Sequence, residues 1–442
     1  MRKLTILLVL ILPFSFSLTA FAQKAIVRSI NPSRVQSGAT AFPITVSGSN
    51  FAKNSFVKIN DVKLETIQIS WNKLRATIPA SLVSSDGNLN IKVVSRLGES
   101  NNVLLTVSAS PAGNYNWTAL DQKLQTVVSN QTPLPANSVR GLTLLISRHG
   151  KIIYSKALGD QTVDSTLPIA SSSKLPSMLA IMTLVDEGKI NLDAPISNYL
   201  QGLVNVPTDK AGITMRMLMN HTSGLGQEDC LGNSNITLRQ CAQEILNSPL
   251  AFQPGTRFSY GGASMQVAGY VAEAVSGQSW NQFFDEKVRT PLFLTRFSYG
   301  NTANPRIAGG ASTDASDYTR IMQTYLSGGV YGDTRIISPG IYWEMQTDQK
   351  RGLPVSSSPG GTTLTGYSYG WWHSAPEYLG NQPQPQTPGL ELSDQGAFGC
   401  TPWIDFEYNY TAILLIQRNL ATGTNIWNEI RPLIVEQMRN NL

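Results

Sequence analysis

The chain has 442 residues, 41% of them hydrophobic, with 34 Lys and Arg against 29 Asp and Glu and a formal net charge of +5. So mild a balance argues against nucleic acid or an anionic membrane surface as a partner. The three histidines, His149, His221 and His373, stand in no ligand-like spacing with cysteine or acid, so the sequence points to no metal site and no cofactor.

The first residues, MRKLTILLVLILPFSFSLTAFAQ, put Arg2 and Lys3 ahead of an apolar run and Ala20-Phe21-Ala22 ahead of Gln23. This is the pattern of a secretory signal peptide over residues 1–22. The run is short for a spanning helix, and no cysteine follows it to accept a lipid. The mature chain is therefore expected to be soluble and away from the membrane, at formal charge +3, and secreted or periplasmic. An oxidising compartment allows a disulfide. Cys230 and Cys241 are the expected pair, stabilising by about 2–4 kcal/mol, with Cys400 left over.

Residues 23–108 are rich in short β-like runs, such as Ile44–Val46, Phe56–Ile59, Ile67–Ile69 and Leu89–Val93, with turn residues every eight to twelve positions. That rhythm predicts a small all-β sandwich. The run INPSRVQSGATAFPITVSGSNF, then VKIND, then SNNVLLTVS resembles the IPT/TIG immunoglobulin-like module. The resemblance implies a spacer or a module that binds a surface polymer or protein. Residues 109–116 read as a linker.

A larger domain is expected over 117–442. Leu120, Leu124, Val127 and Val128 suggest an amphipathic helix, and LTLLISRHGKIIYSKALG suggests a hairpin with His149 exposed at its turn. In IASSSKLPSMLAIMTLVDEG, Met178, Ile181, Met182 and Val185 recur with helical spacing, Pro176 suits a first turn, and Gly188 suits the end. A helix beginning near Ser171 puts Ser171 and Lys174 on one face, and an alcohol beside an amine that can lose its proton is a ready nucleophile. Ser55 with Lys58, and Ser70 with Lys73, repeat the spacing in β-like sequence, where residues three apart point to opposite sides. Residues 352–363 and 380–389 read as long surface loops. Tyr410–Ile416 reads as a last strand, followed by a helix from about Thr424 to Arg439.

Ser171-x-x-Lys174, then ITMRMLMNHTSGLG, PGTRFSYGGASMQVAGYVAEAV, RIAGGASTDASDYTRIMQTYLSGG and SDQGAFGCTPWID follow one another in an order that resembles the class C β-lactamase superfamily of serine hydrolases. The resemblance covers residues 117–440. It implies an α+β fold, an antiparallel sheet flanked by helices with a helical subdomain, and a site in the crevice between them. It implies Ser171 as nucleophile, Lys174 as proton acceptor, Tyr260 as second base or shuttle, and the backbone N–H groups of Ser171 and Ala397 as oxyanion hole. Tyr299-Gly300-Asn301 meets the family's Tyr-x-Asn pattern literally, but Tyr260 follows the expected Pro254-Gly255-Thr256 turn.

Two departures bear on the substrate. Gly262 replaces the asparagine that would hold an acylamino group, and Asp394-Gln395-Gly396 replaces Lys/His-x-Gly, so an acid stands where a cation would meet a substrate carboxylate. These four positions are read as substrate-binding. They favour a carboxylesterase-type activity on small esters or amides over a β-lactamase, a D-Ala-D-Ala carboxypeptidase or a D-aminopeptidase acting on cell-wall-type substrates. A catalytically inactive binding protein on the same fold is the reading from another class. His221 is read as structural. Gly366-Tyr367-Ser368-Tyr369-Gly370 spells the α/β-hydrolase elbow, but Trp371-Trp372 continue it like a strand.

Overall fold

The computed structural model describes residues 24–108, 114–332, 334–350, 352–359, 366–373 and 391–441. The signal-peptide segment, most of the linker and the 380–389 loop lie outside the described residues. Among the described residues no helix is long and apolar enough to cross a membrane.

The N-terminal domain is the expected sandwich. One sheet orders its strands Ile26–Asn31, Phe42–Ser49, Lys73–Ile78, Thr66–Ser70, and the other is built around Gly87–Ser95, flanked by Val103–Ser108 and Phe56–Ile59. Alternation does the folding: in Lys73–Ile78, Leu74, Ala76 and Ile78 point inward while their neighbours stay partly exposed.

The larger domain is organised by a seven-stranded antiparallel sheet in the order Lys151–Gly159, Gly141–Arg148, Tyr410–Leu415, Thr401–Asp405, Glu391–Ser393, Trp371–His373, Gly366–Ser368. Leu142, Leu144 and Ile146 face the helices Thr118–Val127 and Leu420–Arg439. Leu145 turns to the opposite side, where the helical part of the domain packs. At the centre of that part runs the helix Lys174–Asp186. Its periodicity forecasts one buried face, yet every residue from Lys174 to Leu184 is buried, as a helix surrounded by other elements requires. Gly188, at φ +70°, ends it.

Two elements differ from the sequence reading. The closing helix starts at Leu420, where Asn419 Oδ1 accepts from Thr422 N at 2.9 Å; Gly423 lies so close to Gly399 that a Cβ would meet Gly399 O at 2.3 Å, and this packing overrides the weak helix propensity of the first turn. Within the first long loop, Val355–Ser357 forms a short strand beside Phe258–Ser259.

His149 is not exposed. Its turn is the place where the sandwich docks: the His149 ring lies 6.1 Å from that of Phe42, and a Cβ on Gly150 would meet Thr40 Oγ1 at 1.9 Å. Lys151 Nζ donates to Ser37 O (2.8 Å), Asn409 Nδ2 to Pro43 O (3.1 Å) and Ser327 Oγ to Ala41 O (2.6 Å), while the Arg75 guanidinium stacks 4.6 Å from the Phe406 ring. The sandwich is thus packed against the larger domain along its hairpin, not held away from it. Burial, helped by Arg148, lowers the His149 pKa from 6.5 to about 3. The native state keeps this ring neutral while the unfolded chain protonates it, so His149 favours unfolding as pH falls below 6.5, with the effect levelling near 3. We expect His149→Asn, which tolerates the positive φ, to lose less stability than the parent between pH 7 and pH 5 in urea melts, by about 2 kcal/mol. Parallel losses in the two proteins would contradict this.

Candidate active site

The site is built on the entry to the central helix. Ala170, a non-glycine residue at φ +47°, turns the chain into the short 3-10 turn Ala170–Ser173, a strained conformation that its surroundings must hold. They do so closely. Ser172 Oγ donates to Asp394 O (2.5 Å), Ser173 Oγ to Ala170 O (2.6 Å), and Tyr318 Oη to Ser172 O (2.8 Å). Ser171 alone of this serine triplet escapes burial and lines a cavity of about 600 Å³. Lys174 Nζ lies 3.1 Å from Ser171 Oγ and 2.9 Å from Ala308 O. Burial lowers the lysine pKa from 10.5 to about 8; Arg306 pushes the same way, and Asp394 and Glu228 oppose it. An amine so placed is partly neutral near pH 7 and can take a proton from the hydroxyl beside it.

Tyr260 forms the next wall, its ring 4.4 Å from Lys174 Nζ. Ser259 N donates to His221 O and Tyr260 N to Ser357 O, so the short strand pairing fixes the tyrosine backbone. Its ring sits among His221, Tyr367 and Trp372. The hydroxyl is buried beside the Ser171 hydroxyl. Burial raises this phenol well above its ordinary pKa, Asp394 adds to the shift, and the Ser171 hydroxyl opposes it. A phenol held protonated is a proton donor. His221 stands behind the tyrosine, its Nε2 3.0 Å from Tyr367 Oη, outside the cavity wall. Tyr299 lies behind the central helix, 2.5 Å from Ser177 Oγ and 3.2 Å from Ser173 O, away from Ser171.

Ala397 closes the third side. A Cβ on Gly396 would stand 2.1 Å from Ile169 O, so only glycine lets this turn reach the chain just before Ser171. Gly396 N donates to Cys400 O (2.8 Å) and Gly399 N to Gly396 O (2.9 Å). Ala397 and Phe398 line the cavity; Asp394, Gln395 and Gly396 do not, which corrects their reading as substrate contacts. The pleat turns the Asp394 side chain inward beneath the central helix, where Oδ2 accepts from Leu175 N at 3.4 Å and burial raises its pKa well above the usual range. Gln395 accepts from Thr424 of the closing helix.

Gly262 does line the cavity, but the space an asparagine there would need is filled. A Cβ at 262 would meet Leu231 Cδ1 at 2.6 Å, and one at 261 would meet Glu228 Oε1 at 2.7 Å. Glu228 accepts from the backbone N–H groups of Gly262 and Ala263 at the start of the helix Ala263–Ser276, a favourable place for a carboxylate. The disulfide joining Cys230 to Cys241 fastens the Glu228 segment, and Cys400 is buried and unbridged. Sequence reasoning missed Glu228, which stands in no motif, and Arg306, which opens the RIAGG segment but is given no role by the resemblance. Ser368 is fully buried in the hairpin Gly366–Ser368/Trp371–His373, with Oγ 2.6 Å from His373 Nε2, and does not reach the cavity.

The Beta-lactamase family model matches residues 120–430. The chain belongs to the β-lactamase family. The IPT/TIG domain model matches residues 25–107 ahead of it. Among curated relatives, Protein flp of Staphylococcus aureus (strain N315) is 28% identical over 184 residues, 39% of this chain and 37% of its own length; the match thus spans well under half of that relative. Among solved structures, a penicillin-binding protein homologue from Caulobacter crescentus (13% identity, TM-score 0.57) and a family VIII carboxylesterase (18% identity, TM-score 0.56) each align over 73% of this chain and 97% of their own. These structural likenesses are of fold. Within the β-lactamase family, this member brings Ser171, Lys174, Tyr260, Gly262 and Ala397 to one cavity.

Proposed function

We propose that the chain is an exported serine hydrolase of carboxylesterase type that forms an acyl-enzyme on Ser171 with small esters or amides. The contact between Lys174 Nζ and Ser171 Oγ, at 3.1 Å on the cavity floor, carries the reading. Ser171 Oγ attacks the acyl carbon as its proton passes to neutral Lys174, and the oxyanion is received by the backbone N–H groups of Ser171 and Ala397. Tyr260 donates the phenolic proton to the departing alkoxide or amine and regains one from Lys174. Water then attacks the ester on Ser171 by the reverse proton path, releasing the acid.

Esters are favoured over β-lactams because Glu228 and Leu231 occupy the place an acylamino-binding side chain would need. The fold is shared by penicillin-binding proteins and carboxylesterases alike, so it does not choose between them. Export is supported by the N-terminal apolar pattern and by the Cys230–Cys241 bridge. The outer face of the sandwich is left to bind a surface polymer or protein.

A panel of p-nitrophenyl esters and anilides, run beside a chromogenic cephalosporin, tests the activity; turnover of the cephalosporin alone would overturn the esterase reading. The lysine supplies the pH dependence. Only its neutral form accepts the serine proton, so kcat/KM should rise with pH through a midpoint near its pKa of about 8 and level above it. A profile that is flat or falling between pH 6 and 9 would remove Lys174 as the base.

A further inference from the structure

Three charged side chains line the Ser171 cavity, and two are already engaged. Lys174 holds Ser171 and Ala308, and Glu228 holds the start of the helix Ala263–Ser276. The third, Arg306, makes no hydrogen bond or ion pair among the described residues and is exposed at the mouth. Its backbone is nevertheless held on every side. Gln266 Nε2 donates to Asn304 Oδ1 (2.8 Å) and Pro305 O (2.9 Å), and its Oε1 accepts from Ile307 N (3.1 Å). Asn304 Nδ2 donates to Cys230 O (2.9 Å), which ties this segment to the disulfide, and Gly309 N and Gly310 N both donate to Arg306 O.

A guanidinium with unused donors, rising from a fixed backbone beside a reaction cavity, can meet a planar carboxylate with two parallel hydrogen bonds. We propose that Arg306 anchors a carboxylate on the substrate, so that the preferred substrates of the Ser171 site are esters or amides bearing a free carboxylate. The inference rests on the reading of Ser171 as nucleophile and narrows it. A single negative charge suits the place, because Glu228 shares the cavity and would repel a dianion more strongly. The departed cation of the third motif is thereby replaced from another element, the segment that follows Asn304.

Two measurements on the full exported chain separate this inference from the esterase reading. In the first, Ser171→Ala protein, which cannot turn over, is titrated by calorimetry with monomethyl glutarate, a monoanion at pH 7, and with neutral dimethyl glutarate. The monoanion is expected to bind about tenfold tighter or more, the preference should vanish in Ser171→Ala/Arg306→Gln, and Arg306→Lys should keep part of it. In the second, kcat/KM for mono-p-nitrophenyl glutarate is divided by that for p-nitrophenyl butyrate within each protein, so any effect of Arg306 on Lys174 cancels. The ratio should fall about tenfold or more in Arg306→Gln, chiefly through KM. Equal binding of the two glutarates, or a preference that survives Arg306→Gln, overturns the anchor. Hydrolysis of both p-nitrophenyl esters without preference overturns the anchor and leaves the esterase reading standing. Anion-selective binding without hydrolysis of either does the opposite.

Discussion

Ser171→Ala is expected to lower hydrolysis of p-nitrophenyl butyrate by about a millionfold, and Lys174→Met by about 10²–10⁴, with both proteins folded. The nucleophile's hydroxyl is held by Lys174 Nζ and its immediate neighbours are buried and bonded elsewhere, so removing the oxygen disturbs little else. Methionine keeps most of the lysine's volume in a helix buried on all sides. It leaves Ala308 O without its donor at a cavity wall, where water can replace it. Circular dichroism and thermal melts separate lost chemistry from lost fold. Near-normal turnover by folded Lys174→Met would take the lysine out of the mechanism.

Cephalosporin turnover is expected to be at least about a hundredfold less efficient than hydrolysis of the preferred small ester. Loss of a side-chain partner for the acylamino group costs about 0.5–1.5 kcal/mol as a neutral hydrogen bond. The Glu228 carboxylate, an acceptor, stands where that amide donor would have been, so the acylamino carbonyl is desolvated without a partner; with the lost bond this makes up about 2.7 kcal/mol, a hundredfold in rate. A carboxylate anchor at Arg306 does not close this gap, since it favours a carboxylated ester equally. Restoring the third motif with Asp394→Lys should not close it either: the side chain points beneath the central helix, where an ammonium would be buried near Lys174. That variant is expected to lose about 3–5 kcal/mol of stability in denaturant melts and gain no cephalosporin turnover. Efficient cephalosporin hydrolysis by the unmodified protein would show that acylamino recognition comes from other residues.

The parts legible in the sequence were those with a local cause. The sandwich strands announce themselves by alternation, the central helix by spacing and by Pro176 and Gly188, and Ser171 with Lys174 by a spacing that only a helical turn makes productive. What stayed hidden depends on contacts between distant segments. That the central helix is buried all round follows from what surrounds it, and its own apolar spacing could not tell one buried face from several. The inward turn of Asp394 is set by strand pleat and by Ser172 and Leu175, more than 200 residues away. His149 reads as a turn residue and is one, but the sandwich covers it. Glu228 carries no motif, and Arg306 opens one without any chemistry legible in its spacing; the disulfide, Asn304 and Gln266 bring them to the cavity.

Covalent capture separates a Ser171 nucleophile activated by Lys174 from an inert serine. The full exported chain is incubated with a fluorophosphonate probe, digested and mapped, beside Lys174→Met as the control. The expected result is a single phosphonylated peptide modified at Ser171, with labelling slowed by about 10²–10⁴ in Lys174→Met. A folded protein that remains unlabelled would instead make this a binding protein on a hydrolase fold, and label at Ser368 in place of Ser171 would move the chemistry to the hairpin beside His373.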